Sequence, residues 1–189
     1  MCIRDRSATV HFPIWHQEIQ DIIVLKNNKG TEDNRVRKLD YSIQLSALFY
    51  QRFIDNEQIT LFSPHDVPGL YDSFGTEDFD ELYVKYENDE SVPKKTISAQ
   101  ELILDLLKER AETGRIYLMN IDHCNSHSSF IDKVEMSNLC QEITLPTKPI
   151  QHIDDDSGEI ALCILSAINI GKIRDCLLYT SDAADDVAS

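Results

Sequence analysis

The residues best suited to chemistry in this 189-residue chain lie in one hexapeptide, at positions 137–142. It carries an amide, a thiol and a carboxylate at alternate positions, in Asn138, Cys140 and Glu142. Alternate side chains of an extended strand point the same way, so a strand would collect the three groups on one face. A helix would separate them, because residues two apart do not face each other. An amide, a redox-capable sulfur and a proton acceptor on one face suit chemistry on a polar substrate.

The other face of the same strand would carry Leu139, Ile143 and Leu145, with the polar Gln141 as the exception. The thiol also has a structural interpretation, because free cysteines are commonly buried and behave as small hydrophobic residues. Spacing alone therefore leaves two possibilities for Cys140, a reactive group or a core residue.

A second thiol, Cys163, lies in a nearly continuous apolar run at residues 158–167 that follows an acidic turn. Such a run is typical of a strand covered on both faces, as in parallel sheets. Two neighbouring thiol-bearing strands would bring Cys163 and Cys140 to a shared cavity. The alternative is a core cysteine in a core strand.

Another cluster, His123, Cys124 and His127, has side chains that can bind a metal. Structural zinc usually takes four ligands in paired spacings, and no second pair lies nearby in the sequence. We therefore expect a loop that follows a strand, close to the cavity, and no metal site. A metal-binding or non-catalytic interaction module remains the alternative to an enzyme.

Hydrophobic spacing predicts the elements that position these groups. Helices are expected over residues 12–28, 43–54, 79–88 and 98–113, and strands over 36–41, 59–62 and 115–120. In the last helix, Ser98 and Glu101 match a capping box, and Gly114 ends the helix. Its buried stripe is predicted to be Leu102, Leu106 and Leu107. Alternating strands and helices favour an α/β fold with a parallel sheet.

Composition excludes several function classes. A formal net charge of −15 disfavours nucleic-acid binding, which needs Lys and Arg against phosphates. No apolar stretch has membrane-spanning length, so no membrane partner is expected. The cysteines do not form a secreted disulfide framework, which favours a reducing, cytoplasmic location.

Both ends of the chain resemble translated sequencing-library adapter, at residues 1–6 and 176–189. Such segments are excluded from fold reasoning. We expect residues 7–175 to be an internal fragment of a longer protein.

The hexapeptide with its continuation, residues 137–149, resembles the active-site finger loop of the class I ribonucleotide reductase large subunit. The sequence of this segment is most similar to that of the aerobic bacterial and phage type. Further motifs resemble that family in the same order: FPIWH (12–16), LKNN (25–28), RVR (35–37), LDY (39–41), LFSP (61–64), DVPGLYD (66–72), TGRIY (113–117), DHCN (122–125) and GEIALC (158–163).

The resemblance implies a ten-stranded α/β barrel made of two five-stranded halves, with the finger loop crossing its interior. Residues 7–175 would then be part of the catalytic barrel, with the thiol at a loop tip. It also implies an activity, the radical-based reduction of ribonucleoside diphosphates to deoxyribonucleoside diphosphates for DNA synthesis.

The resemblance assigns roles to four residues. Cys140 would carry a thiyl radical, Glu142 would accept a proton, Asn138 would bind sugar hydroxyls, and Cys163 would supply reducing equivalents. The substrate-contacting set would be Asn138, Leu139, Cys140, Gln141 and Glu142.

The implied partners lie largely outside this segment, which is expected to bind no cofactor itself. The full-length parent would rely on a metal-radical small subunit, ATP and dNTP effectors, thioredoxin or glutaredoxin, and a second large subunit. The isolated chain is therefore expected to be inactive.

Overall fold

The computed structural model describes residues 8–27, 29, 36, 39–148, 150, 152–159, 166–167 and 169. The central part of the strand predicted over 158–167, with its Cys163, and both predicted adapter tails lie outside the described residues.

The described elements alternate between strands and helices, apart from one pair of consecutive helices. In chain order they are β1 (Thr9–Pro13), α1 (Ile19–Ile23), β2 (Asp40–Leu45), α2 (Ala47–Ile54), β3 (Gln58–Phe62), α3 (Leu70–Ser73), α4 (Phe79–Asn88), β4 (Lys94–Ser98), α5 (Ala99–Thr113), β5 (Ile116–Asn120) and α6 (Ile121–Ser126). Within this part of the chain, no helix has both the length and the apolar character needed to cross a lipid bilayer.

Across the part of the chain that the structure describes, the strands form two sheets. β1, β2 and β5 form a parallel sheet in the order β1-β2-β5, and β3 pairs with β4 in antiparallel fashion. The predicted α/β class with parallel strands is confirmed. The described strands do not close into a barrel, so the ten-stranded barrel stays a prediction.

The parallel sheet has one apolar face and one polar face. Tyr41, Ile43 and Leu45 alternate along β2 and are buried in the core. The residues between them, Ser42 and Gln44, are polar and also buried. Because the faces of parallel sheets are normally apolar, a polar buried face requires a cover that provides hydrogen-bond partners.

Aromatic rings fill the core between the antiparallel pair and the helices. Phe49 of α2 packs edge-on against Tyr83 of α4, with ring centroids 5.5 Å apart. The Tyr83 hydroxyl accepts a hydrogen bond from Thr60 N (2.8 Å) and donates one to Thr60 O (2.7 Å). These two bonds satisfy a buried phenol and fix α4 against β3.

Two predicted helices and their boundaries are confirmed. α4 occupies the expected residues, Phe79–Asn88. α5 begins after Ser98, whose side chain accepts a hydrogen bond from Glu101 N at 3.4 Å, and it ends at Gly114 with a φ of 66°. The expected stripe needs one correction: Leu107 is 43% exposed, and Ile103 is buried in its place. Leu102, Ile103 and Leu106 then follow the three- and four-residue spacing of one helical face.

Two other predicted helices were wrong at their beginnings. The helix predicted over 12–28 is reduced to Ile19–Ile23, because Phe12 and Pro13 belong to β1 and the helix gives way to turns at residues 24–26. The helix predicted over 43–54 begins only at Ala47, because Ile43 to Leu45 complete β2. In both cases sheet pairing overrides an apolar spacing that also fits a helix.

The remaining differences concern short elements. The strand predicted over 36–41 begins at Asp40 in the described part and extends to Leu45. β4 and α3 were not predicted, and the loop expected around His123 is the short helix α6. The strands predicted over 59–62 and 115–120 are confirmed as β3 and β5 within one residue.

Candidate functional site

The finger segment, defined here as residues 135–143, crosses the polar face of the parallel sheet. Its centre is a turn in which Gln141 N donates to Asn138 O at 3.2 Å. The strand geometry predicted for Asn138, Cys140 and Glu142 is therefore wrong. The turn reverses the chain at Leu139 and Cys140, and Gln141 adopts a φ of 63°, outside the range of a strand.

Three carbonyl oxygens at alternate positions attach the finger segment to the sheet. Each is contacted by a polar side chain from β1 or β2, and together these contacts supply the cover that the polar face requires. The pairs are Gln44 Nε2 donating to Glu135 O (2.6 Å), His11 Nε2 beside Ser137 O (3.2 Å) and Thr9 Oγ1 donating to Leu139 O (2.6 Å).

The Gln141 side chain makes a fourth attachment. Ser42 Oγ donates to Gln141 Oε1 at 2.8 Å, and Gln141 Nε2 donates to Leu118 O at 2.7 Å. Gln141 thus connects β2 and β5 beneath the turn. Gln141 is the polar exception on the apolar face expected from the sequence. Its polarity matches the polar face of the sheet that it contacts.

Asn138 stabilises the turn from within. Its Oδ1 accepts hydrogen bonds from Ile143 N at 3.1 Å and from Ser137 Oγ at 3.2 Å. Among the described residues, none accepts a hydrogen bond from its Nδ2 atom. The amide N–H groups are therefore the part of this side chain that can donate to a ligand.

The thiol lies at the tip of the turn. Cys140 is exposed, and so are its neighbours Leu139 and Glu142. The structure thus brings four of the predicted site residues to one exposed turn. They are Asn138, Leu139, Cys140 and Glu142. The fifth, Gln141, points to the sheet, and Cys163 lies outside the described residues.

The chain enters the finger segment through a paired contact between Asn125 and Val134. Asn125 Nδ2 donates to Val134 O (3.0 Å), and Val134 N donates to Asn125 Oδ1 (2.8 Å). Val134 is fully buried. A side-chain amide of α6 therefore replaces a β-ladder pairing at this point and fixes where the segment begins.

Burial shapes the titration of two groups near the segment. It lowers the pKa of His11, and the hydrogen bond to the Ser137 backbone only partly opposes this. It raises the pKa of the Cys124 thiol, and the neighbouring Asp122 carboxylate adds to the effect. His11 therefore favours its neutral form, which suits a ring that lies between strand and segment.

The cluster at His123, Cys124 and His127 does not have the geometry of a metal site. The two imidazole centroids are 6.1 Å apart, and His127 Nδ1 lies 3.0 Å from the His123 carbonyl oxygen. Across the described ranges, no three His, Cys, Asp or Glu side chains are placed to hold a metal ion. The three residues instead line a cleft of about 480 Å³ together with Gln141.

The sequence interpretation missed the four polar side chains that attach the segment: Thr9, His11, Ser42 and Gln44. The sequence does contain a signal for them. Thr9 and His11 alternate with apolar residues along β1, and Ser42 and Gln44 do so along β2. The prediction placed no strand at either position. His11 lies just before the helix predicted over 12–28, and Gln44 lies within the helix predicted over 43–54.

Comparison with known proteins identifies a family for this chain. A family model described as "Ribonucleotide reductase, barrel domain" matches residues 1–188. The ribonucleoside-diphosphate reductase subunit alpha of Haemophilus influenzae is 57% identical over 177 residues, covering 91% of this chain and 23% of the relative.

Two further relatives give the same result. Ribonucleoside-diphosphate reductase 1 subunit alpha of Escherichia coli is 53% identical, over 78% of this chain and 20% of the relative. The subunit alpha of Enterobacteria phage T4 is 46% identical, over 87% of this chain and 22% of the relative. The chain thus spans less than a quarter of the length of each of these relatives.

Proposed function

This chain belongs to the ribonucleotide reductase family through its barrel domain, and on that premise we propose that its full-length parent reduces ribonucleoside diphosphates to deoxyribonucleoside diphosphates. One observation carries the proposal: an exposed thiol, Cys140, at the tip of a turn that the polar face of a parallel sheet holds by backbone and side-chain contacts.

The reaction needs a radical because the 2′-hydroxyl of ribose is a poor leaving group on an unactivated carbon. A radical at the neighbouring carbon eases its departure. Cys140, as a thiyl radical, takes the 3′ hydrogen atom from the sugar and returns it after the reduction. The transfer is reversible because S–H and sugar C–H bonds have similar strengths.

Glu142 accepts the proton of the 3′-hydroxyl, the role of a positioned general base. Its carboxylate is exposed two residues after the thiol. Asn138 donates an amide N–H to a sugar hydroxyl, while its Oδ1 keeps the turn in place. One residue therefore couples substrate orientation to the geometry of the loop, and this keeps the reacting atoms close.

Two electrons are needed to replace the 2′-hydroxyl by hydrogen. We assign one of the two reducing thiols to Cys163, whose partner belongs to the parent outside this chain. The pair becomes a disulfide and the hydroxyl leaves as water, as in dithiol couples generally. Thioredoxin or glutaredoxin then restores the thiols.

The fold proposed for the parent is the ten-stranded barrel with a central finger loop. β1, β2 and β5 form part of it, and their polar face is the inner surface that the finger segment crosses. Burial of Ser42 and Gln44 on that face supports the proposal, because an interior crossed by a loop needs polar partners for the loop backbone.

The relatives are named as alpha subunits, which supports a second subunit in the parent assembly. We propose a small subunit that generates the radical, ATP and dNTP effectors, and a large-subunit homodimer in the cytoplasm. None of these is assigned to the residues described here, and the segment alone is expected to be inactive.

The experiment compares Cys140→Ser with Cys124→Ser in the full-length parent. Cys140→Ser should abolish deoxyribonucleotide formation while nucleotide binding persists, because an alcohol cannot replace the thiol in hydrogen-atom transfer. Cys124→Ser is the matched control and should retain turnover. Full activity of Cys140→Ser would overturn the proposal.

A further inference from the structure

We propose that Gln141 is a positioning residue for the Cys140 thiol and makes no contact with substrate. The inference rests on the proposed function and revises one residue of the substrate-contacting set expected from the sequence. It assigns to the Gln141 amide the task of fixing the turn against two strands.

Both ends of the Gln141 amide are occupied by the sheet. Oε1 accepts from Ser42 Oγ at 2.8 Å, and Nε2 donates to the Leu118 carbonyl at 2.7 Å. Ser42 is fully buried, so this contact lies beneath the turn, whereas the Cys140 thiol is exposed. A side chain held from below at both polar atoms is poorly placed to bind a ligand above.

The backbone of Gln141 supports the same role. Its φ of 63° lies in the left-handed region that residues with a Cβ rarely adopt. Such a conformation persists when surrounding contacts determine it, and here the side-chain bonds and the bond from Gln141 N to Asn138 O do so. Because Gln141 follows Cys140 directly, its conformation sets the orientation of the peptide that carries the thiol.

The anchor points belong to neighbouring strands. Ser42 lies on β2 and Leu118 on β5, and these strands pair in register with Ser42 opposite Tyr117. The Gln141 amide therefore fixes the position of the thiol relative to two hydrogen-bonded strands of the sheet. Displacement of reacting atoms by about 1 Å can cost about 100-fold in rate, so the anchor has a kinetic consequence.

The test uses Gln141→Leu and Ser42→Ala in the full-length parent. A positioning role predicts a fall in kcat of about 10- to 100-fold for Gln141→Leu with the substrate Kd unchanged. Ser42→Ala should give a smaller fall of the same kind, although Ser42 is buried. The double variant should be no worse than Gln141→Leu alone, because both changes break one link.

A second readout does not depend on turnover. The rate of Cys140 alkylation by iodoacetamide, followed by peptide mass spectrometry, should change at least about threefold in Gln141→Leu, because the exposed thiol loses the surroundings that the anchored turn gives it. Gln100→Leu, which removes an exposed amide on α5, is the control and should change neither readout.

The outcomes separate the two proposals. A wild-type parent without reductase activity would contradict the proposed function. The alkylation rates would still decide whether Gln141 positions the thiol. A raised substrate Kd with unchanged kcat and alkylation would make Gln141 a substrate contact and overturn the inference. Unchanged kcat, Kd and alkylation would overturn it as well.

Discussion

The Nε2 atom of His11 lies 3.2 Å from the carbonyl oxygen of Ser137, a residue 126 positions later in the chain. The same nitrogen lies 3.4 Å from Ser137 N. The other ring nitrogen, Nδ1, is buried and has no hydrogen-bond partner among the described residues. With Nε2 donating to the Ser137 carbonyl, a second proton would sit on Nδ1 and add an unpaired buried donor, which is costly.

The first prediction concerns pH. Burial lowers the pKa of His11 below its usual 6.5, so the folded chain binds this proton less readily than the unfolded chain does. The stabilisation is thus complete above about pH 6.5 and is lost as the pH falls through the lowered pKa. Hydrogen exchange at residues 135–143, corrected for intrinsic rates, should accelerate over that range.

Two variants test the assignment to His11. His11→Gln should remove the acceleration, and His65→Gln, at an exposed histidine, should leave it unchanged. If His11→Gln keeps the same pH profile, another group controls the attachment of the segment.

The second prediction concerns thiol reactivity. Cys140 is exposed, whereas Cys124 is half-buried and has a pKa raised by burial and by Asp122. Since the thiolate is the reactive form, alkylation at pH 7.5 should be at least about tenfold faster at Cys140 than at Cys124. Peptide mass spectrometry after timed iodoacetamide treatment measures both rates. Equal rates would mean that the turn hides the Cys140 thiol in solution.

The third prediction compares two glycines with positive φ. A Cβ at Gly75 would lie 2.7 Å from Ile121 Cγ1 and 2.9 Å from Asn125 Nδ2, whereas a Cβ at Gly69 would meet nothing within 4 Å. Gly69→Ala should cost about 1–2 kcal/mol of unfolding free energy from backbone strain alone. Gly75→Ala should cost about 1–3 kcal/mol more, from overpacking.

Urea unfolding followed by the fluorescence of Trp15, the single and fully buried tryptophan, measures both changes. The Gly75 variant should also accelerate hydrogen exchange at Val134, because Asn125 would have to move. Equal losses for the two variants would show that the crowding at Gly75 relaxes without cost.

The fourth prediction concerns an ion pair between α2 and α4. Arg52 makes two parallel bonds of 2.6 Å to the Glu87 carboxylate, and its side chain is only 9% exposed. Burial opposes ionisation of Glu87, but the bonds from Arg52 and Thr60 outweigh it and lower its pKa. Glu87→Gln should therefore destabilise the chain by about 3 kcal/mol, because it leaves the guanidinium without its counter-charge.

The matched control is Glu112→Gln, which breaks the exposed pair with Lys29 and should change stability little. The contribution of Glu87 is complete above its usual pKa of 4.5 and is lost as the pH falls through its lowered value. An equal effect of both substitutions would show that the Arg52 pair is solvated.

Local signals predicted part of this fold well. α5 was predicted with its cap and its terminal glycine because both are local interactions within one turn. The beginnings of α1 and α2 were not, because apolar residues at 12 and 43 fit either a helix or a strand, and only pairing with distant strands decides.

The site divides in the same way. The sequence identified Asn138, Cys140 and Glu142 by their chemistry, and the structure collects them in one turn. It did not identify His11 or Gln44 as their support, because alternation along a strand indicates a polar face but not the segment, more than 90 positions away, that covers it. The polar residues on this face of the sheet are explained by their contacts with the finger segment, which the sequence does not place there.

The sheet recognises oxygen atoms of the main chain at 135, 137 and 139, and every amino acid possesses such an atom. Mutation at those three positions leaves the recognised feature in place. At those three positions the segment can exchange side chains, during evolution or engineering, without losing its attachment to the sheet. Apart from Gln141, the side chains that dock the segment belong to the strands, far from the sulfur in sequence.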